Sequence, residues 1–421
     1  MRPIVRFCFC CLCAGLITSS SPVLHGYVLA DGDGTQNTSA PADDPGWDNH
    51  GNTGPATGVY LGDGWMLVPH HVLGSGSTTN LGGTNYSLRT EMRVRLHNPG
   101  DWNDVNDLVM IPVINPPTGL PVIAIATTPP SPGSTGGGPP QPAETLTMIG
   151  IGRDREPGLT YWIIGGGTAE EVEEVDSWTH RGYKTFTTRT KRWGTNTRPN
   201  NNLFDVLNTR SFATQFNDVA NNTQGVIGDS GGGIFVKRNG EWFLAGVSLS
   251  VSAIPEGPDN FTRTRAIFNQ FTFHADLSHF RDQIETIRSL STPYEVYLYQ
   301  HLQDDWDPAL ADPLADLDGD GRVNLLEYAF NTDPQAPSQE RNPFMHPVGA
   351  EEPPRFRYFR FTDRTDLLYQ AEWSTDLVDW FTDDLSDTVV ATSDTQQTRE
   401  VVHTGDPEVR RFFRLRVELT E

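Results

Sequence analysis

A mainly β protein is what this sequence of 421 residues predicts, from three observations. Short apolar runs recur along most of the chain with Gly, Pro, Asn and Asp between them, the pattern of many short strands joined by turns. Glycine (40) and proline (31) are abundant, which suits a loop-rich β architecture and not a helical bundle. Helical periodicity appears only after residue 277. The length suggests two or three domains.

The formal net charge is −23, from 31 Lys+Arg against 54 Asp+Glu. A polyanion repels nucleic acid and anionic membrane, so neither is an expected partner.

Residues 1–30 read as a secretory signal. Arg2 and Arg6 form a positive start, and Phe7 to Ile17 is apolar but too short to span a bilayer. Cleavage after Ala30 satisfies the small-residue rule, with Val28 at the third position before it, and cleavage near Ser21 is the alternative. A buried strand or an anchor helix is the other reading of this segment. All four cysteines (Cys8, Cys10, Cys11 and Cys13) lie inside it, and Cys10-Cys11-Leu12 before Cys13 does not form a lipobox. The secreted chain is therefore expected to have neither a disulfide framework nor a thiolate metal site. No later apolar run is long enough to cross a membrane.

Residues 31–54 are rich in Gly, Asp, Asn and Pro and read as a flexible lead-in. A β-domain is expected over residues 55–290. Its first strands flank a Gly-Asp-Gly turn in Gly58 to Val68; Leu108–Val113 and Val122–Ala126 read as buried strands, and Thr127–Pro142 is a Pro/Gly/Ser-rich loop. Further strands are expected at Thr145–Ile151, Tyr161–Gly165, Thr185–Thr190, Gly233–Lys237 and Trp242–Val251. Leu277, Phe280, Ile284 and Ile287 fall at helical spacing, so an amphipathic helix closes this domain. Thr292-Pro293-Tyr294-Glu295 is a capping-box start for a second helix running to about Trp306. A linker is expected over 291–334. Over 335–421, alternating runs at Phe356–Phe361, Leu367–Trp373, Arg399–His403 and Phe412–Val417 predict a small antiparallel β-domain.

Gly228-Asp229-Ser230-Gly231-Gly232 is the sharpest chemical motif. A serine hydroxyl is a poor nucleophile unless a base takes its proton. It also needs backbone N–H groups aimed at the developing oxyanion, and glycines let the chain turn tightly enough to present them. A candidate base, His71, lies in Met66-Leu-Val-Pro-His-His-Val-Leu73, and a candidate orienting acid, Asp107, opens the run Asp107-Leu-Val-Met-Ile111. The order His, Asp, Ser is that of the chymotrypsin-type arrangement. His71 is preferred to His70 because it precedes the Val-Leu pair, and Asp107 to Asp104 because it directly precedes the hydrophobic run.

These three segments resemble the histidine, aspartate and serine motifs of the trypsin-like serine proteases over roughly residues 55–290. The resemblance implies a pair of six-stranded antiparallel β-barrels with the site in the cleft between them. It implies Ser230 as nucleophile, His71 as general base and then acid, and Asp107 as the residue holding the imidazole. It also implies an oxyanion hole from the amides of Gly228 and Ser230, and Gln224 at the floor of the specificity pocket, where a neutral residue argues against Arg/Lys preference. The chain departs from the family in several places. It lacks an Ile-Val-Gly-Gly start to pair with Asp229, carries Pro69 and His70 where small residues are usual, and has Gly233 in place of proline. Lys191-Arg192-Trp193-Gly194-Thr195-Asn196 resembles segments of bacterial secreted trypsin-like proteins, but its residue types identify no chemistry.

Asp316-Leu-Asp318-Gly-Asp320-Gly321-Arg322-Val-Asn324-Leu-Leu-Glu327 fits a twelve-residue EF-hand loop, with a solvated acidic turn as the bland alternative. Oxygen ligands fall at positions 1, 3, 5, 9 and 12, a backbone carbonyl is available at Arg322, and glycine stands at position 6. With the following Tyr328 to Pro334 the loop also resembles the calcium repeats of dockerins and thrombospondin type-3 modules. A structural Ca²⁺, with no cofactor for catalysis, is expected.

The expected function is thus that of a secreted, extracellular or periplasmic serine endopeptidase acting on a protein or peptide substrate. An inactive protease-like binding or adhesion module and an esterase are the alternatives. The C-terminal β-domain is a candidate for binding a surface, glycan or protein.

Overall fold

The computed structural model describes residues 25–73, 77–134, 141–349, 352–405 and 410–420. It is mainly β, with 45% strand and 13% helix. The signal-like residues 1–24, with the four cysteines, lie outside the described residues, as do residues 135–140 of the predicted Pro/Gly/Ser-rich loop.

Two large antiparallel sheets, with two two-stranded pairs beside them, make up the larger unit. A five-stranded sheet runs in the order His50–Thr53, Ala56–Gly62, Trp65–Pro69, Val105–Pro112, Val94–His97. A ten-stranded sheet has at its centre Thr145–Arg155, Gly233–Arg238, Glu241–Val251 and Phe271–Asp276, flanked by the long strand His180–Thr197. Among the described residues neither sheet closes into the expected six-stranded barrel. The two sheets share one core instead. Leu61, Leu67, Leu108 and Met110 of the first meet Phe235, Leu244 and Val247 of the second. Helix α1 (Leu277–Ser289) presents the stripe Leu277, Phe280, Ile284 and Ile287 to this core. Burying each such side chain contributes roughly 1.5–3 kcal/mol, so packing rather than propensity holds α1 in place.

Part of the segment expected as a signal is paired in the fold. His25–Leu29 is a strand paired antiparallel with Thr223–Ile227, and Tyr27, Val28, Leu29 and Ala30 are buried. Cleavage after Ala30 would remove this strand, whereas the alternative near Ser21 leaves it intact. An apolar strand and the end of a signal segment look alike in sequence, and only the pairing with residues 223–227 separates them. The lead-in is ordered by contacts too: Asn37 bonds the main chain of Trp193, and Ser39 accepts from the Trp193 indole. Val122–Ala126 contributes only an isolated parallel bridge, Ile125 to Leu244, and Val122 is exposed.

Helix α2 (Pro293–Leu302) starts at the predicted capping box, in which Glu295 N–H donates to Thr292 Oγ1 (3.1 Å) and Thr292 N–H to Glu295 Oε2 (3.1 Å). It ends at Leu302, short of Trp306, because Gln303 takes a positive φ of 56°. Helix α3 (Asn324–Phe330) follows the acidic loop. Tyr294, Tyr297 and Leu298 of α2 pack with Tyr328, Ala329 and Phe330 of α3 and with Leu367 of the last domain, so the linker is a packed junction. That domain combines a four-stranded sheet with the pair Leu367–Ser374 and Phe412–Leu419 around Phe356, Tyr358, Ala371 and Val401. Its strand Leu385–Ser393 is almost wholly exposed, which is why no burial pattern announced it.

Candidate active site

Two loops, one from each sheet, carry the site. Strand Trp65–Pro69 ends at Pro69 and passes into a single 3-10 turn, His70–Val72. Pairing of Pro69 with Leu108 sets this turn beside the start of strand Val105–Pro112. Asp107 Oδ1 accepts the His71 backbone N–H (2.8 Å), and Asp107 Oδ2 lies 2.5 Å from His71 Nδ1. A carboxylate at Nδ1 fixes the tautomer with its proton there and leaves Nε2 as the base. The Asp107 amide donates to Thr209 Oγ1 (2.8 Å) of the second sheet, which locks the acid from behind. His70 turns away, with Nε2 3.5 Å from Arg95 Nη1; burial and the Arg95 charge lower its pKa. Asp104 bonds Asn98 and Asn208 and plays no part in this contact.

Ser230 lies between strands Thr223–Ile227 and Gly233–Arg238 and is 2% exposed. Its hydroxyl donates to the Leu249 carbonyl at a long 3.5 Å, and among the described residues no hydrogen bond joins it to His71. Among the same residues no protein group accepts from the amides of Gly228 and Ser230. Gly228 has φ +109°, and Gly231 has φ +86° with no room for a Cβ, which would fall 2.0 Å from the Thr57 carbonyl. Both positions therefore require glycine.

Several residues that sequence reasoning missed hold this loop. Thr57, fully buried on the first sheet, donates its N–H to the Ser230 carbonyl (3.0 Å) and its hydroxyl to the Gly228 carbonyl (2.8 Å), and accepts from Ile151 N–H (2.9 Å). His50 is buried; Gly233 N–H donates to its Nε2 (3.2 Å), and its Nδ1 donates to the Gly46 carbonyl (2.8 Å). Burial drives the His50 pKa down to about 3, so the ring is neutral. A second buried chain runs from Tyr27 Oη to Ser248 Oγ (2.5 Å), on to His274 Nδ1 (3.0 Å), and from His274 Nε2 to Thr214 Oγ1 (3.0 Å). The backbone of Ser248 in turn bonds Gly231 and Gly232. Burial also sets His274 to about 3.

The segment Lys191–Asn196 acquires a role as a brace. Lys191 Nζ donates to the carbonyls of Trp47 (2.7 Å) and His50 (2.9 Å), and burial brings its pKa down to about 8. Asn196 holds the Thr223 carbonyl (2.8 Å), just upstream of the Ser230 loop. Asp229 is fully buried, and among the described residues neither carboxylate oxygen has a hydrogen-bond donor. Burial raises its pKa well above the usual carboxylate range, against the attraction of Arg189 and Arg192.

Gln224 does not sit on a pocket floor open to solvent. It is wholly buried opposite Val28, and its Oε1 accepts from Ile267 N–H (3.0 Å). Counting back from Ser230 assumed a loop where the chain forms a strand. A cleft of about 560 Å³ lined by Trp65, Arg89, Pro116, Leu290 and Pro293 contains none of His71, Asp107 and Ser230.

In the acidic loop, carboxylate oxygens of Asp316, Asp318 and Asp320 lie within 4.8 Å of one another. Asp318 Oδ2 and Asn324 Oδ1 are buried without a hydrogen-bond donor among the described residues. Glu327 lies outside the aspartate group: its Oε1 stands 3.3 Å from Arg322 Nη1, and the Thr332 hydroxyl donates to its other oxygen. The Asn324 amide turns to the carbonyls of Leu310 (3.0 Å) and Asp312 (3.1 Å). The sequence pattern gave Arg322 only a carbonyl role and could not foresee its guanidinium beside Glu327. Among the described residues no helix is long and apolar enough to cross a membrane. No protein-family model and no curated protein matches this chain.

Proposed function

We propose that the chain is a secreted serine endopeptidase of the trypsin-like kind. The contact of His71 Nδ1 with Asp107 Oδ2 at 2.5 Å, on the same sheet whose Thr57 brackets the Ser230 loop, carries this reading. Ser230 Oγ attacks the scissile carbonyl carbon as His71 Nε2 takes its proton, and Asp107 stabilises the imidazolium. The oxyanion is held by the amides of Gly228 and Ser230. Collapse transfers the proton to the leaving amine and forms the acyl-enzyme, which water opens by the same steps.

A structural Ca²⁺ in the Asp316–Glu327 loop completes the reading. Asp316, Asp318 and Asp320 would hold it, together with the Arg322 carbonyl, and Asn324 and Glu327 would join after side-chain rotation. The ion would supply charge neutralisation at the junction of the two domains. It takes no part in peptide hydrolysis.

One observation favours a second reading. The Ser230 hydroxyl bonds to the Leu249 carbonyl rather than to His71, as suits a protease-like fold acting as a binding module. A fluorophosphonate probe separates the two. Covalent labelling of the wild type and not of Ser230→Ala supports the enzyme. No labelling of folded, calcium-loaded protein overturns it and leaves the binding module.

A further inference from the structure

We propose that Arg153 and Arg189 form an anion-binding subsite beside the nucleophile loop, which selects substrates carrying an acidic side chain close to the scissile bond. The proposal rests on reading Ser230 as the nucleophile and goes beyond it by naming the substrate class.

The two arginines are directly opposite each other in the antiparallel pairing of Thr145–Arg155 with His180–Thr197, beside an irregularity in the register. Like charges facing across a ladder are destabilising. Of the other cations on these strands, Arg192 pairs with Asp154 (2.7 Å), Arg181 with Asp218 (2.7 Å) and Lys184 with Glu171 (2.9 Å), whereas Arg155 and Lys191 donate to main-chain carbonyls. Among the described residues no carboxylate lies within ion-pair distance of Arg153 or Arg189.

Arg189 is also held in place. Its Nε and Nη2 donate to the Ile151 carbonyl (3.1 and 2.9 Å), and Nη2 reaches the Gly228 carbonyl (3.3 Å). The guanidinium lies so close to Gly228 that a Cβ there would be 2.7 Å from Nε. Gly228 is two residues from Ser230, so the Arg189 guanidinium is tied to the loop that carries the serine. Asp229 attracts Arg189 through space but is fully buried and bonds neither arginine, so it does not fill the role of the missing anion. Arg153 and Arg189 are both partly exposed, accessible to an arriving side chain. A guanidinium pair is suited to a carboxylate by charge and by fork geometry.

The test uses the full chain and matched peptides that differ only by Asp or Glu against Asn or Gln on either side of the cleaved bond. The readout is the ratio of kcat/KM for acid over amide within each protein, so a change in absolute rate does not affect it. The wild type is expected to favour the acid about 10-fold or more at one position, less so in high salt. Arg153→Gln should bring the ratio close to one, and Arg153→Glu should invert it in favour of the amide, with thermal unfolding confirming that both variants fold. Fluorophosphonate labelling of Ser230 runs in parallel. Labelling with no acid preference, or a preference that survives both variants, overturns the subsite alone. Absence of labelling overturns the nucleophile and the subsite together.

Discussion

Thr57 Oγ1 donates to the Gly228 carbonyl at 2.8 Å while the Thr57 amide donates to the Ser230 carbonyl at 3.0 Å, so one buried residue of the first sheet grips the nucleophile loop on both sides of Asp229. The same hydroxyl accepts from Ile151 N–H, tying strand Thr145–Arg155 into the bracket. The loop is thereby fixed by the sheet that supplies His71 as well as by its own.

Thr57→Val keeps the shape and the backbone bond but deletes the hydroxyl. It leaves the Gly228 carbonyl and the Ile151 amide without this partner, at a cost of about 1–3 kcal/mol in stability. The rotation of the Gly228 peptide is then less restrained, and kcat should fall on the order of 10-fold with KM little changed, since one lost transition-state contact of about 1.4 kcal/mol is worth that factor. Thr57→Ser should restore most of kcat. Equal kcat in Val and wild type would remove Thr57 from the positioning of the site.

Asp107→Asn tests the acid. Both Asp107 oxygens accept from His71, one from the amide and one from Nδ1. An amide in place of the carboxylate stabilises the wrong tautomer, and in a Ser-His-Asp triad this lowers kcat by on the order of 10⁴. His70→Ala should leave kcat within a few-fold, since His70 faces Arg95. Steady-state kinetics on any cleaved peptide decides it, and a larger loss in His70→Ala than in Asp107→Asn reverses the assignment.

What the sequence made legible and what it hid divide along contact range. His71, Asp107 and Ser230 could be found because each sits at the end of an apolar strand or in a glycine turn whose local pattern is its signature. Thr57, His50 and Tyr27 could not. Their partners lie 171 residues away at Gly228, 183 at Gly233 and 221 at Ser248, and a lone Thr, His or Tyr carries no local mark of such a contact. Gln224 lies between these cases: its offset from Ser230 is legible, but its burial depends on a strand, His25–Leu29, that reads in sequence as part of a secretion signal.

Acid sensitivity follows from three buried groups. His50 and His274 have folded pKa values of about 3 against an ordinary 6.5. Between those values the unfolded chain binds protons that the folded chain refuses, so stability falls as pH drops below 6.5. Each contributes a slope of about 1.4 kcal/mol per pH unit. Asp229, raised by burial, has the opposite sign: above its ordinary value the folded chain keeps a proton the unfolded chain releases, so lowering the pH through that window stabilises. The two histidines outweigh the one aspartate. Asp229→Asn should therefore steepen the loss of stability on acidification, and His274→Asn should flatten it between pH 6 and 4 by about 1.4 kcal/mol per unit. Urea midpoints measured across this range provide the check, and parallel curves for the three proteins would contradict it.

Calcium should act on stability through Glu327 and Arg322. Without an ion, Arg322 is the partner of a carboxylate that is 1% exposed, and removing one member of such a pair costs about 3–5 kcal/mol. Arg322→Ala is therefore expected to be strongly destabilised in chelator. If Glu327 turns to the cation when it binds, the ion replaces the lost guanidinium, and calcium at 100 times its Kd adds about 2.7 kcal/mol through linkage alone. The rise in Tm on adding calcium should then be larger for Arg322→Ala than for the wild type, and absent in Asp318→Ala, which loses a carboxylate from the three-aspartate group. An equal calcium shift in Arg322→Ala and wild type would mean that Glu327 stays outside the coordination sphere. No shift in any of the three proteins would mean that the aspartates form a solvated acidic turn, held only by the amides of Gly319, Asp320, Gly321, Arg322 and Ser338.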